Sequence, residues 1–398
     1  MKKLELLPQL IIAIILGIIL GKISPEWGIK TLVTFNGIFG NFLGFAIPLI
    51  IIGFIAPGIG QMGKGAGKLL GVTTLFAYAS TIFAGLLAFM VGSRIFPNIL
   101  EVGGLVSDLE NPEEVLLAPF FQIDMPPIMG VMTALLIAFT FGLGMAAIKG
   151  NALMNIMDDF RTIIEKVISK IIIPLLPVHI LGIFANMTYG GQVETIMSVF
   201  AKVFVLIILL HVAMIFILYS AGGTLARKNP FALLKTMLPA YFTALGTQSS
   251  ASTIPVTLRQ VKKTGVREKV ADFVVPLSAT IHLSGSTITL VSCAMAVMLL
   301  SGVTPTFGLI FPFILMLGVT MIAAPGVPGG AVMAALGLLE TMLAFDPTMI
   351  ALMIALYLAQ DSFGTACNVT GDGAITVMVD KVSSDKVIQE VEQSQAAS

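Results

Sequence analysis

Asp361, Thr365, Asn368 and Asp372 follow one another at steps of four, three and four in the stretch Asp361-Ser-Phe-Gly-Thr365-Ala-Cys-Asn368-Val-Thr-Gly-Asp372. At helical period this spacing puts two carboxylates, a hydroxyl and an amide on one face, aimed at a single target. The surroundings are apolar, where an unpaired charge costs several kcal/mol, so the group reads as a binding site. An ammonium group wants a carboxylate at hydrogen-bond range, and Asp361, one turn before Thr365, is placed to supply it. Asn368 and Asp372, with hydroxyls and free carbonyls, offer the several oxygens that a small hard cation such as sodium prefers. Two plainer readings stay open at this point: a buried structural hydrogen-bond cluster, and a shorter helix whose polar face is solvated.

The elements that hold this face are membrane-like. Hydrophobic residues make up 57% of the chain and charged residues 11%, with a mean hydropathy of +0.99. That balance excludes an ordinary soluble domain and predicts an all-α polytopic membrane protein with one transmembrane domain. A formal net charge of +0 gives no basic footprint for nucleic acid. Cys293 and Cys367 both lie in apolar segments without metal or disulfide spacing and read as packing residues. Met1-Lys-Lys and the Leu-rich run to Gly21 lack a small-residue cleavage site, which predicts a retained first span.

Apolar stretches of spanning length occur near 7–22, 32–60, 67–96, 126–148, 163–186 and 196–221. Beyond Ala221 the apolar pattern is interrupted by Ser, Thr, Gly and Pro, a backbone tolerated at membrane depth only where protein or a cavity covers it. Basic residues gather at Lys2 and Lys3, Lys64 and Lys68, Lys149 to Lys170, Arg227 to Lys235, Arg259 to Lys269, and Lys381 and Lys386. The alternate connections, Glu101 to Asp124, Glu194, and Glu340 with Asp346, are acidic or nearly uncharged. The positive-inside rule then places the basic side, with both termini, in the cytoplasm.

The polar stretch Gly246-Thr-Gln-Ser-Ser-Ala-Ser-Thr-Ile-Pro255 has basic residues on both flanks, so it reads as a re-entrant hairpin entered from inside. A second apolar stretch, from Phe307 to Asp346, breaks at Ala324-Pro-Gly-Val-Pro-Gly-Gly330 and reads as a hairpin entered from outside. A pair of short full spans, or a Pro-kinked helix, is the plainer account of each. Two broken segments, each followed by a long helix, also point to an inverted repeat with a site between its halves. Between them, Ser278-Ala-Thr280-Ile-His282-Leu-Ser284-Gly285-Ser286-Thr287 interrupts another apolar run and predicts an unwound helix. Its freed carbonyls suit a cation, and half-helix amino termini suit an anionic group.

In this order the serine-rich tip, the Pro-Gly-Val-Pro-Gly-Gly tip and the Asn368-Val-Thr-Gly-Asp372 helix resemble the dicarboxylate/amino acid:cation symporter family, the glutamate transporter homologues. The likeness is strongest from Pro230 to Lys381, and Gln360-Asp361-Ser362 resembles its neutral amino acid, serine/threonine branch. The resemblance implies eight transmembrane helices plus two re-entrant hairpins, built as inverted repeats into a scaffold and a mobile transport domain that moves like an elevator. Scaffold helices 1 and 2 would occupy 1–66, helix 3 of the transport domain and helix 4 of the scaffold 67–148, scaffold helix 5 149–195, and transport helix 6 196–228. The first hairpin would follow over 229–264, unwound helix 7 over 265–305, the gating second hairpin over 306–346, helix 8 over 347–381, and a cytoplasmic tail over 382–398.

By the same resemblance Asp361 binds the cargo's amino group, with Thr365, Asn368, Ser249, Ser250, Val327 and Gly329 around the cargo. Tyr78, Ser80 and Thr81 on helix 3, Ser278, Thr280 and His282 at the break, and Asn368 with Asp372 match sodium positions. Pro325, Gly326, Pro328 and Gly329 match the gate, where glycine supplies backbone freedom. The implied partners are a small-molecule amino acid, sodium, the lipid of the cell membrane and two further copies of the chain in a homotrimer.

Three departures qualify that likeness. Members carrying acidic cargo place an arginine one residue before the threonine, where Gly364 stands; the alternative arginine at the first tip is replaced by Gln248. A cargo side-chain carboxylate would find no bidentate partner, which favours a neutral, small polar amino acid. The unwound motif, usually Asn-Met-Asp-Gly-Thr, is here His282-Leu-Ser284-Gly285-Ser286, so an amide and a carboxylate are gone from a sodium site. Fewer than three coupled sodium ions are expected. His282 is either a neutral core histidine, a ligand, or a carrier of protons, since imidazole changes charge near neutral pH. A dicarboxylate or acidic amino acid symporter is the alternative, with Gln248, Ser and backbone N–H groups replacing the arginine. An intramembrane hydrolase built on His282, Ser284 and Asp372 lacks a nucleophile motif, and a passive channel would not need Asp361.

Overall fold

The computed structural model describes residues 6–62, 67–100, 103, 117–191, 193–321, 324 and 329–383, and among these there are helices but no strand. The helices are α1 (Leu6–Ile23), α2 (Glu26–Met62), α3 (Gly67–Ile99), α4 (Val131–Ala147), α5 (Ala152–Val167), α6 (Ile173–Tyr189) and α7 (Val193–Ala226). They continue with α8 (Pro230–Thr247), α9 (Ser250–Lys263), α10 (Glu268–Ile281), α11 (Ser284–Leu300), α12 (Phe307–Met321), α13 (Gly330–Leu343) and α14 (Pro347–Val382). Among the described residues 6 helices are long and apolar enough to cross a membrane, counting α5 with α6, and α10 with α11, as one each. The tail beyond 383, and Lys2, Lys3, Lys64, Lys386, Glu101 and most of the acidic connection after it lie outside the described residues.

Local chemistry sets the breaks. Asn229 caps α8 by accepting from the N–H groups of Phe231 and Ala232, with Pro230 in the first helical position. That helix stops at Gln248, whose φ of 52 is left-handed. Ser249 then caps α9 by accepting from Ser252 N, so the tip between the two helices is only Gln248-Ser249. Asp346 caps α14 in the same way, accepting from Thr348 N and Met349 N ahead of a helix of 36 residues. His282 and Leu283 separate α10 from α11, as the polar interruption there predicts.

One segment differs from the sequence reading. The apolar run read from 163 begins earlier as a helix: the basic stretch Lys149 to Lys170, within the 149–195 expected for helix 5, is largely α5, an amphipathic helix burying Met154, Met157 and Ile164 on one face. A π-helical turn, Ile168–Ile172, joins it to α6 without a loop. Its charged face lowers the local hydropathy, so a search for apolar runs starts the span too late.

Two sets of helices result. α1, α2, α4, α5 and α6 pack chiefly on one another, and α3 packs with α7 to α14, α11 and α14 lying at the centre of that second set. The apolar window of α10–α11 is 100% buried and that of α14 89%, against 39% for α3, so the polar residues on α14 are core residues and not a solvated surface. At the far end of α14, Arg267 Nε donates to Asp380 Oδ1 at 2.7 Å, and its guanidinium also reaches the carbonyls of Asp380 and Ser383. Lys228 Nζ donates to the Thr264 carbonyl at 2.6 Å, closing the base of the α8–α9 pair against the end of α7.

A polar seam along the last long helix

Asp361, Thr365, Asn368 and Asp372 all lie on α14, and each is buried to within 6% of complete. Asp361 Oδ2 accepts from Gly329 N at 2.6 Å. Gly329 stands immediately before α13 with a φ of 75, and a Cβ there would lie 2.8 Å from Leu358 Cδ2. The left-handed backbone selects glycine. One turn earlier, the wholly buried Tyr357 faces Asp361 and Ser286, although its hydroxyl closes no hydrogen bond of ordinary geometry among the described residues.

Asn368 holds the break. Its Oδ1 accepts from Gly285 N at 2.7 Å and Ser286 N at 3.3 Å, while Nδ2 donates to Ser286 Oγ at 2.9 Å. A helix begun after Leu283 has no capping side chain of its own, so the cap of α11 comes from another helix. Behind it, His211 Nε2 lies 3.0 Å from the Gly285 carbonyl and 3.2 Å from Thr289 Oγ1. A carbonyl only accepts, so that nitrogen carries the proton.

Asp372 meets His282 directly. Nδ1 of the imidazole lies 2.9 Å from Asp372 Oδ1, and Nε2 lies 2.9 Å from Ser80 Oγ on α3. Since a carboxylate only accepts, Nδ1 is the donor, and in the neutral ring Nε2 accepts the Ser80 proton. All three side chains are buried, His282 at 0% exposure. A Cβ on Gly371 would come within 2.7 Å of His282 Cε1, so the glycine before Asp372 makes room for the ring.

The remaining expected residues are placed as follows. Ser249, Ser250 and Gln248 sit together at the buried tip between α8 and α9. Tyr78 hydroxyl donates to the Leu315 carbonyl of α12 at 3.3 Å, and Thr81 folds back on Ala77 at 2.9 Å. Thr280 is exposed and donates to the Leu277 carbonyl at 2.7 Å. Pro325, Gly326, Val327 and Pro328 lie outside the described residues. A Cβ on Gly364 would point between Thr289 Oγ1 at 3.5 Å and Ser286 N at 3.6 Å, with no cationic group among its nearest atoms.

For a small cation the oxygens divide into two kinds. Those of Asn368 Oδ1 and Asp372 Oδ1 are already engaged by N–H groups. The hydroxyls of Ser278, Ser284 and Thr370 are buried without a partner among the described residues and fit a hard cation better. Tyr357 and His211 were not anticipated. Tyr357 was findable, because it extends the polar spacing one turn before Asp361; His211 was not, since its partners lie 74 and 78 residues away.

The pattern of the sodium:dicarboxylate symporter family matches residues 6–382 of this chain. A serine/threonine transporter of Bifidobacterium adolescentis is 28% identical over 310 residues, covering 73% of this chain and 69% of that protein. One from Streptococcus agalactiae is 26% identical over 398 residues, covering 96% of each.

Proposed function

The chain belongs to the sodium:dicarboxylate symporter family, whose members are membrane transporters and not enzymes, and from that premise we propose that it moves a neutral, small polar amino acid across the cell membrane in symport with sodium. The observation that carries the choice of cargo is Gly364, whose nearest atoms include a hydroxyl and backbone groups but no cation. A cargo with a second carboxylate would leave that group buried without a countercharge, at a cost of several kcal/mol. The similar proteins named serine/threonine transporters support the same choice.

In this reading the cargo ammonium binds Asp361, and its carboxylate meets the hydroxyls and free N–H groups where α9 begins at Ser249-Ser250. Thr365 and Asn368 flank the cargo. Sodium enters beside the break and is held by hydroxyl and carbonyl oxygens of the Ser278 to His282 region, with Asp372 as the nearby charge. The engagement of Asp372 by His282 supports fewer than three coupled sodium ions, because the imidazole already satisfies one carboxylate oxygen. α8–α9 and α12–α13 act as re-entrant hairpins, and the set of α3 with α7 to α14 moves as the transport domain against a trimeric scaffold of α1, α2 and α4 to α6. The separate packing of the two sets supports that division.

Uptake into proteoliposomes, scanned over amino acids and dicarboxylates with and without a sodium gradient, tests the proposal. Serine, threonine or another neutral amino acid should accumulate only with sodium. Accumulation of a dicarboxylate alone would overturn the cargo assignment. Sodium cooperativity as steep as three ions, with no dependence on pH, would overturn the reduced coupling.

A further inference from the structure

We propose that Asp361 is also the positioning residue that seats the amino-terminal end of α13, so that one carboxylate serves both the cargo and the second hairpin. The reading rests on Asp361 as the ammonium anchor. Its geometry is direct: Oδ2 accepts from Gly329 N at 2.6 Å, a short, charge-assisted bond, at the residue where the backbone turns left-handed into α13. Asp361 is 5% exposed, and a Cβ added at Gly329 would lie 2.8 Å from Leu358 Cδ2, so the bond is made in a closely packed place. A carboxylate at a helix amino terminus also faces the positive end of the helix dipole.

The two duties use different properties of the group. Seating α13 needs a hydrogen-bond acceptor at Oδ2, whereas holding an ammonium needs negative charge. α13 takes Oδ2 alone, so the cargo would bind at Oδ1, on the carboxylate that Tyr357 also faces. Cargo and helix are therefore held at once, and the cargo's positive charge offsets the burial of the carboxylate. Binding tightens the seat of α13 and does not displace it.

Hydrogen exchange on the full-length protein in lipid nanodiscs separates these duties, following peptides from α13 (330–343) with α11 (284–300) as the internal control. Without cargo, Asp361→Ala should exchange roughly ten- to a hundredfold faster at the start of α13, as expected for loss of one hydrogen bond to a charged group. Asp361→Asn, which keeps an acceptor, should stay close to the wild type there and yet fail to bind L-serine. Adding L-serine with sodium should slow exchange of α13 in the wild type and leave Asp361→Asn unchanged. Wild-type exchange in Asp361→Ala, or equal acceleration in Asp361→Asn, would overturn the proposal, as would faster exchange of α13 on adding L-serine. If Asp361→Ala loosens α11 as well, Asp361→Asn alone decides. The cargo-free comparison does not depend on what is transported, so a wrong cargo and a wrong seat give different results.

Discussion

At the scale of single residues, the polar face of α14 turns to a different partner at each step. Asp361 turns to α13, Asn368 caps α11, and Asp372 pairs with His282. Asp361→Ala should abolish cargo binding while some sodium binding survives, whereas Asp372→Asn should weaken cation affinity first; isothermal titration with each ligand distinguishes the two. Gly371→Ala places a methyl 2.7 Å from His282 Cε1. Overpacking of this kind costs about 1–3 kcal/mol, so its melting temperature should fall and its sodium affinity with it, and a thermal shift with and without sodium reads both. The periodic face was legible from spacing alone. Its partners were not, because Ser80 and His282 are 202 residues apart and His282 and Asp372 are 90 apart. Burial decides that pairing, and no local pattern encodes it.

At the scale of elements, the interruptions that looked costly in sequence became helix ends. The tip at Gln248-Ser249 and the break at His282-Leu283 both fall where polar residues enter apolar runs. They were readable because unpaired backbone is not tolerated at membrane depth without local polar help. The start of α5 does not show as an apolar run because its charges mask a helical stripe, although it lies within the 149–195 that the family resemblance implies for helix 5. The source of the cap on α11 was also invisible, since Asn368 belongs to a helix far along the chain. Asn368→Ala should free two buried N–H groups and cost about 1–3 kcal/mol, with faster hydrogen exchange at residues 284–287 as the direct readout. Replacing Asn368 by Asp, which retains an acceptor, should restore much of that protection.

At the scale of the whole molecule, the described residues proposed for cargo and sodium fall in one of the two sets of helices, that of α3 with α7 to α14. Substitution of Gly364 by Arg should shift preference from neutral toward acidic amino acids in competition uptake, if Thr289 and Ser286 yield space. A saturating neutral cargo, at about a hundred times its Kd, should stabilise the folded protein by about 2.7 kcal/mol, visible as a higher melting temperature only when sodium is present. α14 itself runs unbroken for 36 residues, roughly 54 Å at about 1.5 Å per residue. It bears Asp361, the proposed ammonium anchor, with the cap of the break and the His-paired carboxylate, and it ends in the Arg267–Asp380 clasp. A stiff rod of that kind allows no phase lag among the groups fixed to it. Whatever moves the clasp at one end moves Asp361 at the other, so on the proposed assignments cargo and ion would share a single clock.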